Sequence, residues 1–333
     1  MLKLERMEPT EQTWRAMDAV HDRVIFQTRE WARFIAAGDA VEPAIAAVKD
    51  GPATVGYFTG FVVRRFGVRI LASPMRGWST WYMGFNLAEQ ASRRAAIEAL
   101  DRFAFDSLRC QHLELRDRGL DLADVDGLGY RHALSWIYEV DLRGSEDEIF
   151  ARMTSACRRC IRKAEKSGVV VEEATGPDFA DDYYAQLQEV YAKQALVPSY
   201  GIDRVRALID ALQPTERLLL LRARDPEGRC IATGIFPAMN TTMYFWGGAS
   251  WRAHQVLRPN EAIMWYAMRY WRRRGIQACD LGGGVERYKR KYGADTVYVP
   301  FLWRSRYPVL SRLRNLAKHG YEQQQRLRGK LAS

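Results

Sequence analysis

A carboxylate, three glycines and a lysine lie within ten residues of one another and are the first candidates for chemistry. Asp280 ends an apolar, strand-like run, and the run Gly282 to Gly284 follows it, with Gly283 at its centre. A carboxylate here can orient an amine or pair with a cation such as Lys289, and glycines let a ligand approach the backbone. The alternative role for Asp280 is a turn cap. The glycines do not form a G-x-G-x-x-G fingerprint, so we exclude a dinucleotide site.

Lys289 lies in the run YKRKYG, between Tyr288 and Tyr292. A lysine brings a compact positive charge, which suits it to stabilise an oxyanion in an aromatic-lined cleft. The alternative is a basic surface turn, extending to Lys291, that only contacts phosphate.

Two arginines on a predicted helix form a second positive feature. Arg158 and Arg162 lie one helical turn apart, so their guanidinium groups can clamp one phosphate. A solvated basic face is the alternative. Cys157 and Cys160 have C-x-x-C spacing, but no second pair and no paired histidines complete a zinc site, so we predict no metal.

Aromatic residues are the candidates for an acceptor site. Tyr200, in the run VPSYG, carries a hydroxyl that can bind an acceptor carbonyl or pass a proton, or it fills the core with one hydrogen bond. Tyr244 and Trp246 alternate with Phe245 along a predicted strand, and we assign the first two to acceptor binding. Which face of that strand lines a cleft stays open. No Ser or Cys pairs with His254, so we expect direct attack by an amine without a covalent enzyme intermediate.

The charge of the chain is concentrated in its second half. The 333 residues carry a net charge of +10, but residues 1–150 hold 19 Lys and Arg against 23 Asp and Glu, whereas residues 151–333 hold 31 against 17. Clustered cations attract a polyanion such as RNA, or an anionic membrane face. The N-terminal residues lack an apolar run of signal-peptide length and no run suits a membrane helix. The five cysteines, an odd number, do not form a disulfide framework, which fits a reducing compartment. These features predict a cytoplasmic protein that can contact the inner face of the membrane.

The hydrophobic periodicity predicts two similar α+β units. The predicted helices cover 10–22, 28–37, 88–107, 145–168, 179–195, 202–212 and 260–274, and the predicted strands cover 44–49, 54–64, 68–72, 112–116, 169–173, 217–224, 230–238, 242–249 and 278–281. A capping box, Ser145 with Glu148, opens the second unit. We therefore divide the chain into domains 1–144 and 145–307 and a basic amphipathic helix or tail at 308–333.

The order of helices, three-stranded meander, central helix and strand resembles the GNAT acyltransferase fold. Five runs resemble, in the same order, the Fem-type (FemAB-like) aminoacyltransferases and their relatives with the BioF2-like acetyltransferase domain, which are tandem GNAT proteins. These runs are SPMRGWSTWYMGFN, RRCIRKAEKSGV, LRPNEAIMW, GIQACDLGGG and YKRKYG. The resemblance implies an α+β fold with mixed, mainly antiparallel sheets. It covers nearly the whole chain up to about residue 305.

The resemblance implies transfer of an aminoacyl or acyl group from an activated ester or thioester to an amine, often on a cell-wall peptide. By the same resemblance, Lys289 lies at the donor end and Tyr200 near the acceptor side. We assign both, together with Asp280, as catalytic residues, and we expect no permanently bound cofactor. We further assign donor binding to a set of residues comprising Arg158, Arg162, Tyr288, Lys291 and Gly283.

The donor expectation depends on a missing turn. Acetyl-CoA-dependent GNAT enzymes carry a Gly-rich turn before the central helix, whose backbone N–H groups hold the pyrophosphate. The corresponding segment here, 252–260, has no glycine and contains Pro259. With the basic second half, this favours aminoacyl-tRNA as donor and an amine of a cell-envelope precursor or peptide-like acceptor, with no DNA partner. The alternatives are a CoA-dependent N-acetyltransferase of polysaccharide or cell-envelope biosynthesis, and an inactive tandem module that binds RNA or a membrane.

Overall fold

The computed structural model describes residues 1–193 and 196–307, which divide into two α+β units. Of the described residues, the first unit comprises 1–136 and 298–307, and the second comprises 137–297. The predicted tail at 308–333 lies outside the described residues. The end of the helix predicted at 179–195 also extends beyond them.

The α-helices are α1 Glu11–Asp18, α2 Arg29–Gly38, α3 Arg93–Arg102, α4 Glu146–Arg152, α5 Ser155–Lys166, α6 Phe179–Ala192, α7 Ile202–Leu212, α8 Pro259–Arg272 and α9 Glu286–Arg290. The strands are β1 Lys3–Arg6, β2 Val41–Asp50, β3 Ala53–Arg65, β4 Val68–Ser73, β5 Gly84–Leu87, β6 His112–Arg116, β7 Arg131–Ala133, β8 Trp136–Asp141, β9 Val170–Glu173, β10 Leu218–Arg224, β11 Cys230–Met239, β12 Thr242–Tyr244, β13 Gly247–Ser250, β14 Ala278–Asp280, β15 Asp295–Tyr298 and β16 Phe301–Ser305.

The first unit is a mixed sheet with α3 packed against it. Its strand order is β1-β2-β3-β4-β6-β16-β7, with β5 paired to β3, and β4 and β6 run parallel. Ser92 caps α3 through its side chain, which accepts from the Ala95 N–H, and α3 then buries Ile97 and Leu100 in the core of the sheet. The helix predicted to run on to residue 107 ends as a π-helical turn, Phe103–Ser107.

The second unit repeats this order. Its strands run β15-β8-β14-β12-β11-β10-β9, with β13 paired to β11, and β12 and β14 are parallel. The connecting helix α8 buries Ile263, Met264 and Met268 against the sheet. A meander, a helix and a parallel return strand therefore occur twice, which confirms the predicted tandem α+β fold.

The division of the chain differs from the predicted one at residues 144/145. The unit boundary falls at residues 136/137 because β8 pairs with β14 in the second sheet, with Val140 opposite Cys279. Residues 298–307 return to the first unit because β16 pairs with β6 on one side and with β7 on the other. Neither β8 nor β16 is among the strands that the hydrophobic pattern predicts, and the pattern does not reveal which sheet a strand joins.

The helix predicted from the capping box to Gly168 is two helices. The capping box itself is confirmed: the Ser145 side chain accepts from the Glu148 N–H, and the Glu148 carboxylate accepts from the Ser145 N–H. Helix α4 ends at Arg152, and Thr154 starts α5 by accepting the Cys157 N–H at 3.2 Å. A threonine hydroxyl competes with the backbone ladder and so favours a helix start over a helix interior.

The strand predicted at 242–249 is also interrupted, and this break shapes the second unit. β12 runs parallel to β14 for three residue pairs, of which Tyr244 with Asp280 is the last. The Phe245 N–H still donates to the Asp280 carbonyl at 2.8 Å, but from Gly247 onward β13 follows β11. A Cβ on Gly247 would overlap the Tyr183 hydroxyl, so the diverging segment approaches its neighbours more closely than any other residue permits.

We predict that Gly84→Ala destabilises the protein far more than Gly77→Ala. Both glycines have positive φ angles, +76° and +94°, so either alanine introduces strain of about 1 kcal/mol. A Cβ on Gly84 would in addition overlap the carboxylate of Asp117, which is buried and paired with Arg93 at 2.7 Å, whereas a Cβ on Gly77 meets open space. Because this overlap disturbs the buried ion pair, we expect Gly84→Ala to lower the free energy of unfolding by at least about 3 kcal/mol, as measured by urea denaturation. Equal losses for the two variants would contradict this account.

Candidate functional site

A cavity of about 220 Å³ lies in the second unit where β13 diverges from β14. Phe245, at the break between β12 and β13, lines it together with Tyr288 of α9. The remaining lining is Val190, Thr233, Phe236, Gly248, Ala249, Ser250, Gln255, Asn260, Ile263 and Met264. An open groove of about 560 Å³ shares Val190, Ser250 and Gln255 with the cavity, so the two are continuous. An apolar hollow with a few polar groups and an open mouth suits a small reacting group attached to a larger carrier.

The polar groups of the cavity are held in position by one another. Asn260 donates from Nδ2 to the Ser250 hydroxyl at 3.0 Å, and Gln255 donates to the same hydroxyl at 3.4 Å. The sequence pattern predicts that helix α8 begins at Asn260. Instead, Asn260 lies in the first turn, because Arg258 takes the N-cap position with a φ of +63° and Pro259 follows as the first helical residue.

A buried ion pair occupies the N-terminal end of α8. Glu261, 8% exposed, accepts from the Lys291 ammonium at 2.7 Å. The Lys291 nitrogen also lies 4.2 Å from the centre of the Tyr288 ring. A carboxylate in the first turn complements the positive end of the helix dipole. Lys291, which the sequence assigned to the donor, is therefore already paired, and its partner Glu261 was not among the sequence candidates.

Lys289 is buried at the end of β14. It is 7% exposed, its ammonium donates to the Leu281 carbonyl, and its nitrogen lies 4.8 Å from the centre of the Phe245 ring. Burial lowers the pKa of Lys289 to about 8, and the nearby Cys279 and Asp280 counteract this only in part. The ammonium thus lies over the face of a ring that lines the cavity.

Asp280 is fully buried, and its carboxylate accepts the Gly282 N–H at 2.7 Å. This contact is the turn cap that the sequence left as an alternative. The charge of Asp280 also raises the pKa of Lys289. Direct pairing of the two side chains stays a prediction. Gly283 is exposed at the centre of the turn that follows.

Tyr200 belongs to an aromatic cluster. Its hydroxyl is 2.8 Å from the hydroxyl of the buried Tyr183, and its ring centre is 5.4 Å from that of Trp246. Burial raises the pKa of Tyr200 to about 12, so it is a neutral hydrogen-bonding group at physiological pH. Tyr244 is fully buried, and of the three alternating aromatics Phe245 is the one that lines the cavity. The acceptor role assigned to Tyr244 and Trp246 therefore remains a prediction that the cavity lining does not support.

The arginine pair on α5 is divided between two roles. The guanidinium of Arg158 donates to the carbonyls of Ala151 and Met153, so it caps α4. Arg162 is exposed and lies 5.3 Å from the centre of the Phe150 ring. Arg162 is therefore open to solvent. For both arginines to bind one phosphate, Arg158 would have to give up its hydrogen bonds to the last carbonyls of α4.

Within the described residues, no group of three or more His, Cys, Asp or Glu side chains is placed to hold a metal ion. Cys157 is buried, and desolvation raises the pKa of its thiol to about 12. No described helix combines the length and the apolar character needed to cross a membrane.

The first unit contains a cavity of its own, of about 230 Å³. Arg76 and Arg116 line it with Thr80, and its lining includes no carboxylate. Arg76 lies 4.2 Å from the centre of the Phe301 ring, which holds its side chain against the wall.

The fold agrees with the comparisons to known proteins. Residues 151–290 match the family model described as an acetyltransferase (GNAT) domain. The structure of FemX superimposes with a TM-score of 0.72 at 14% identity, covering 90% of this chain and 96% of FemX. The chain therefore has the tandem GNAT fold that FemX has. The acetyltransferase domain matched by residues 151–290 supports acyl transfer as its class of reaction.

Two further structures share the fold of this tandem GNAT protein. L-PGS from Bacillus licheniformis gives a TM-score of 0.57 at 13% identity, covering 93% of this chain and 97% of its own. A tandem GNAT protein from the clavulanic acid biosynthesis pathway, solved without AcCoA, gives 0.55 at 11% identity, covering 92% and 99%. No curated protein sequence matches the chain.

We predict that Lys289 titrates near pH 8 in the folded protein. Because burial disfavours its ammonium form, the unfolded chain binds this proton more tightly between about pH 8 and the ordinary value of 10.5. The contribution of Lys289 to stability therefore increases as the pH rises through that window. Side-chain NMR of ¹⁵N-lysine protein, assigned by the signal lost in Lys289→Met, measures the midpoint. A midpoint above 10 would contradict the burial of this ammonium.

Proposed function

We propose that this tandem GNAT protein transfers an aminoacyl group from aminoacyl-tRNA to an amine of a cell-envelope precursor or a peptide-like acceptor. The observation that carries the proposal is the ion pair at the start of α8. The donor phosphates of CoA need free backbone N–H groups at a helix N-terminus. Here Pro259 offers no N–H, and the Glu261 carboxylate with Lys291 already neutralises the helix end. A carboxylate at this point repels a pyrophosphate.

The chemistry needs few groups. The acceptor amine attacks the ester carbonyl, a C–N bond forms, and the carbonyl oxygen becomes an oxyanion. The intermediate then breaks its C–O bond, and the 3′-hydroxyl of the tRNA leaves with the proton that the amine gives up. We assign the Lys289 ammonium to stabilise the oxyanion, since it is a concentrated charge in an apolar setting next to Phe245. Asp280 holds the turn that positions the Leu281 carbonyl, to which Lys289 donates.

The acceptor proposal rests on the aromatic cluster of the second unit, in which the Tyr200 ring lies 5.4 Å from that of Trp246. Tyr200 retains the assignment of a neutral hydroxyl that binds an acceptor carbonyl.

The second candidate is a CoA-dependent N-acyltransferase. It is favoured by the match of residues 151–290 to an acetyltransferase domain. The two candidates differ in how many phosphates the donor brings, so salt dependence separates them.

Replacing Lys289 should remove catalysis and leave folding intact. We expect Lys289→Met to lower turnover by about two to three powers of ten, as removal of one oxyanion partner does elsewhere. The melting temperature should not fall, because a buried charge is replaced by an apolar side chain of similar length. In the parent, turnover should decline above pH 8 as the ammonium loses its proton. Lys163→Met, on the exposed face of α5, is the matched control, and parental turnover in Lys289→Met would refute the assignment.

The donor test compares labelled aminoacyl-tRNA with acetyl-CoA. If tRNA binds through several phosphates, the logarithm of its affinity falls steeply and linearly with the logarithm of salt concentration, and Arg162→Gln reduces the slope by about one. Arg33→Gln, an exposed arginine on α2, should leave the slope unchanged. Glu261→Gln should increase acetyl-CoA binding about tenfold, because it removes the repelling carboxylate and frees Lys291. A flat salt response with tRNA, alongside micromolar acetyl-CoA binding by the parent, would establish the second candidate instead.

A further inference from the structure

The turn between β3 and β4 projects an aromatic side chain into solvent. Phe66 is 97% exposed, and with Gly67 it forms a two-residue turn flanked by the pair Arg65 and Val68. The φ angles of Phe66 and Gly67 are +50° and +78°, the conformation in which hairpin turns prefer Asn-Gly. A bulky residue with positive φ is strained, and nothing in the fold compensates for it by burying the ring.

The topology brings further arginine and aromatic side chains to the same end of the sheet. β4 and β6 are parallel and start together, with Ile70 opposite His112, and β16 ends there because Ser305 lies opposite His112. Arg109, exposed and with a φ of +54°, comes just before β6. Beyond β16, Arg306 donates its N–H to the Gln111 carbonyl at 2.9 Å. We call this set the hairpin end; it comprises Arg64, Arg65, Phe66, Arg69, Arg109, Arg306 and Tyr307.

The charges of the hairpin end are only partly neutralised. Arg65 pairs with Asp39, Arg69 contacts Glu42 at 3.4 Å, and Arg306 contacts Asp106 at 3.9 Å. Among residues 1–193 and 196–307, neither Arg64 nor Arg109 has a carboxylate within salt-bridge distance. Both are exposed, and they lie close in the sheet to the unburied ring of Phe66.

We propose that the hairpin end is a contact surface for an anionic phospholipid membrane, with Phe66 inserted between headgroups and Arg64 and Arg109 bound to lipid phosphates. Aromatic rings with one apolar face and arginines beside them are the residues that lie at membrane interfaces. Tyr307, 53% exposed, adds a second ring at this end. Single-stranded RNA is instead bound along a groove in which bases stack on aromatic rings. Phe66 projects from a two-residue hairpin turn with 97% of its surface exposed, so its ring does not lie in a groove.

The sequence beyond residue 307 supports the same occupant. Its pattern predicts a basic amphipathic helix, with apolar residues at helical spacing among Arg and Lys. The chain thus continues from the hairpin end into a second segment whose composition suits an anionic lipid surface. The surface is independent of the transfer reaction, so lipid binding can be tested without substrate.

Vesicle sedimentation tests the proposal on the full chain. The parent should bind vesicles of phosphatidylcholine with one third phosphatidylglycerol and not vesicles of phosphatidylcholine alone. Arg64→Gln and Arg109→Gln should each weaken binding about fivefold, the equivalent of about 1 kcal/mol per cation. Phe66→Asn should weaken it at least about fivefold while the melting temperature stays equal or rises, because asparagine suits this turn. Phe66→Trp should retain parental binding.

Two matched controls belong to the second unit. Val170→Thr removes an exposed apolar side chain, and Arg159→Gln removes an exposed arginine of α5. Neither should alter vesicle binding by more than twofold. Parental binding by Phe66→Asn, or an equal loss in Arg159→Gln, overturns the proposal. It is also overturned if Arg64→Gln and Arg109→Gln weaken binding to a single-stranded RNA by the same factor as to vesicles while Phe66→Asn changes neither.

Discussion

Three residue pairs of parallel β-structure determine the architecture of the candidate site. β12 and β14 remain paired only from Thr242 to Tyr244, and the chain then follows β11. The space opened by this divergence is the cavity, and Phe245 enters it because it is the first residue past the last pair. The Leu281 carbonyl also lies one residue past the last pair, and Lys289 donates to it. The same divergence thus creates the hollow and the acceptor that draws an ammonium into an apolar core.

Buried charges in the second unit are compensated at short range. Glu261 and Lys291 neutralise each other at the N-terminus of α8, and Lys289 is satisfied by a carbonyl and by the negative face of a ring. A carbonyl compensates a charge less completely than a carboxylate does, which leaves Lys289 with a lowered pKa. Lys291 is partly exposed and ion-paired, whereas Lys289 is buried and has a carbonyl oxygen as its hydrogen-bond acceptor. The electrostatic settings of these two lysines therefore differ, although only one residue separates them in the sequence.

Much of the fold follows from local signals in the sequence. The strand His112–Arg116 and the helix Ile202–Leu212 have the predicted bounds, because apolar periodicity and flanking turn residues specify them locally. Two elements that the sequence predicts as continuous are interrupted, at Thr154 and at Phe245, although the apolar pattern runs on through both. At Thr154 the signal was present, since a threonine three residues before Cys157 can cap a helix. At Phe245 the break depends on pairing with a distant strand, which periodicity does not encode.

The candidate site was predictable in its residue types and less so in its partners. Resemblance identified Lys289, Asp280 and Tyr288, and all three lie at or next to the cavity. The sequence did not reveal that Lys291 pairs with Glu261, although a glutamate two residues after Pro259 is itself a helix-start signal. Lys291 is ion-paired and Lys289 is desolvated because of where each side chain lies in the folded unit. That placement depends on the assembled sheet, which local sequence does not specify.

The position of β16 affects the order in which the polypeptide can fold during synthesis. This strand lies between β6 and β7 inside the first sheet, yet it is made after the entire second unit. When residue 297 has been synthesised, every described strand of the second sheet has been made except the last residue of β15, while the first sheet still lacks an inner strand. The second unit can therefore complete its hydrogen-bonded ladder first, and the edges of β6 and β7 stay unpaired until residues 301–305 emerge. A chain truncated after the second unit would expose those two edges permanently, so the first unit cannot be produced as a simple N-terminal fragment.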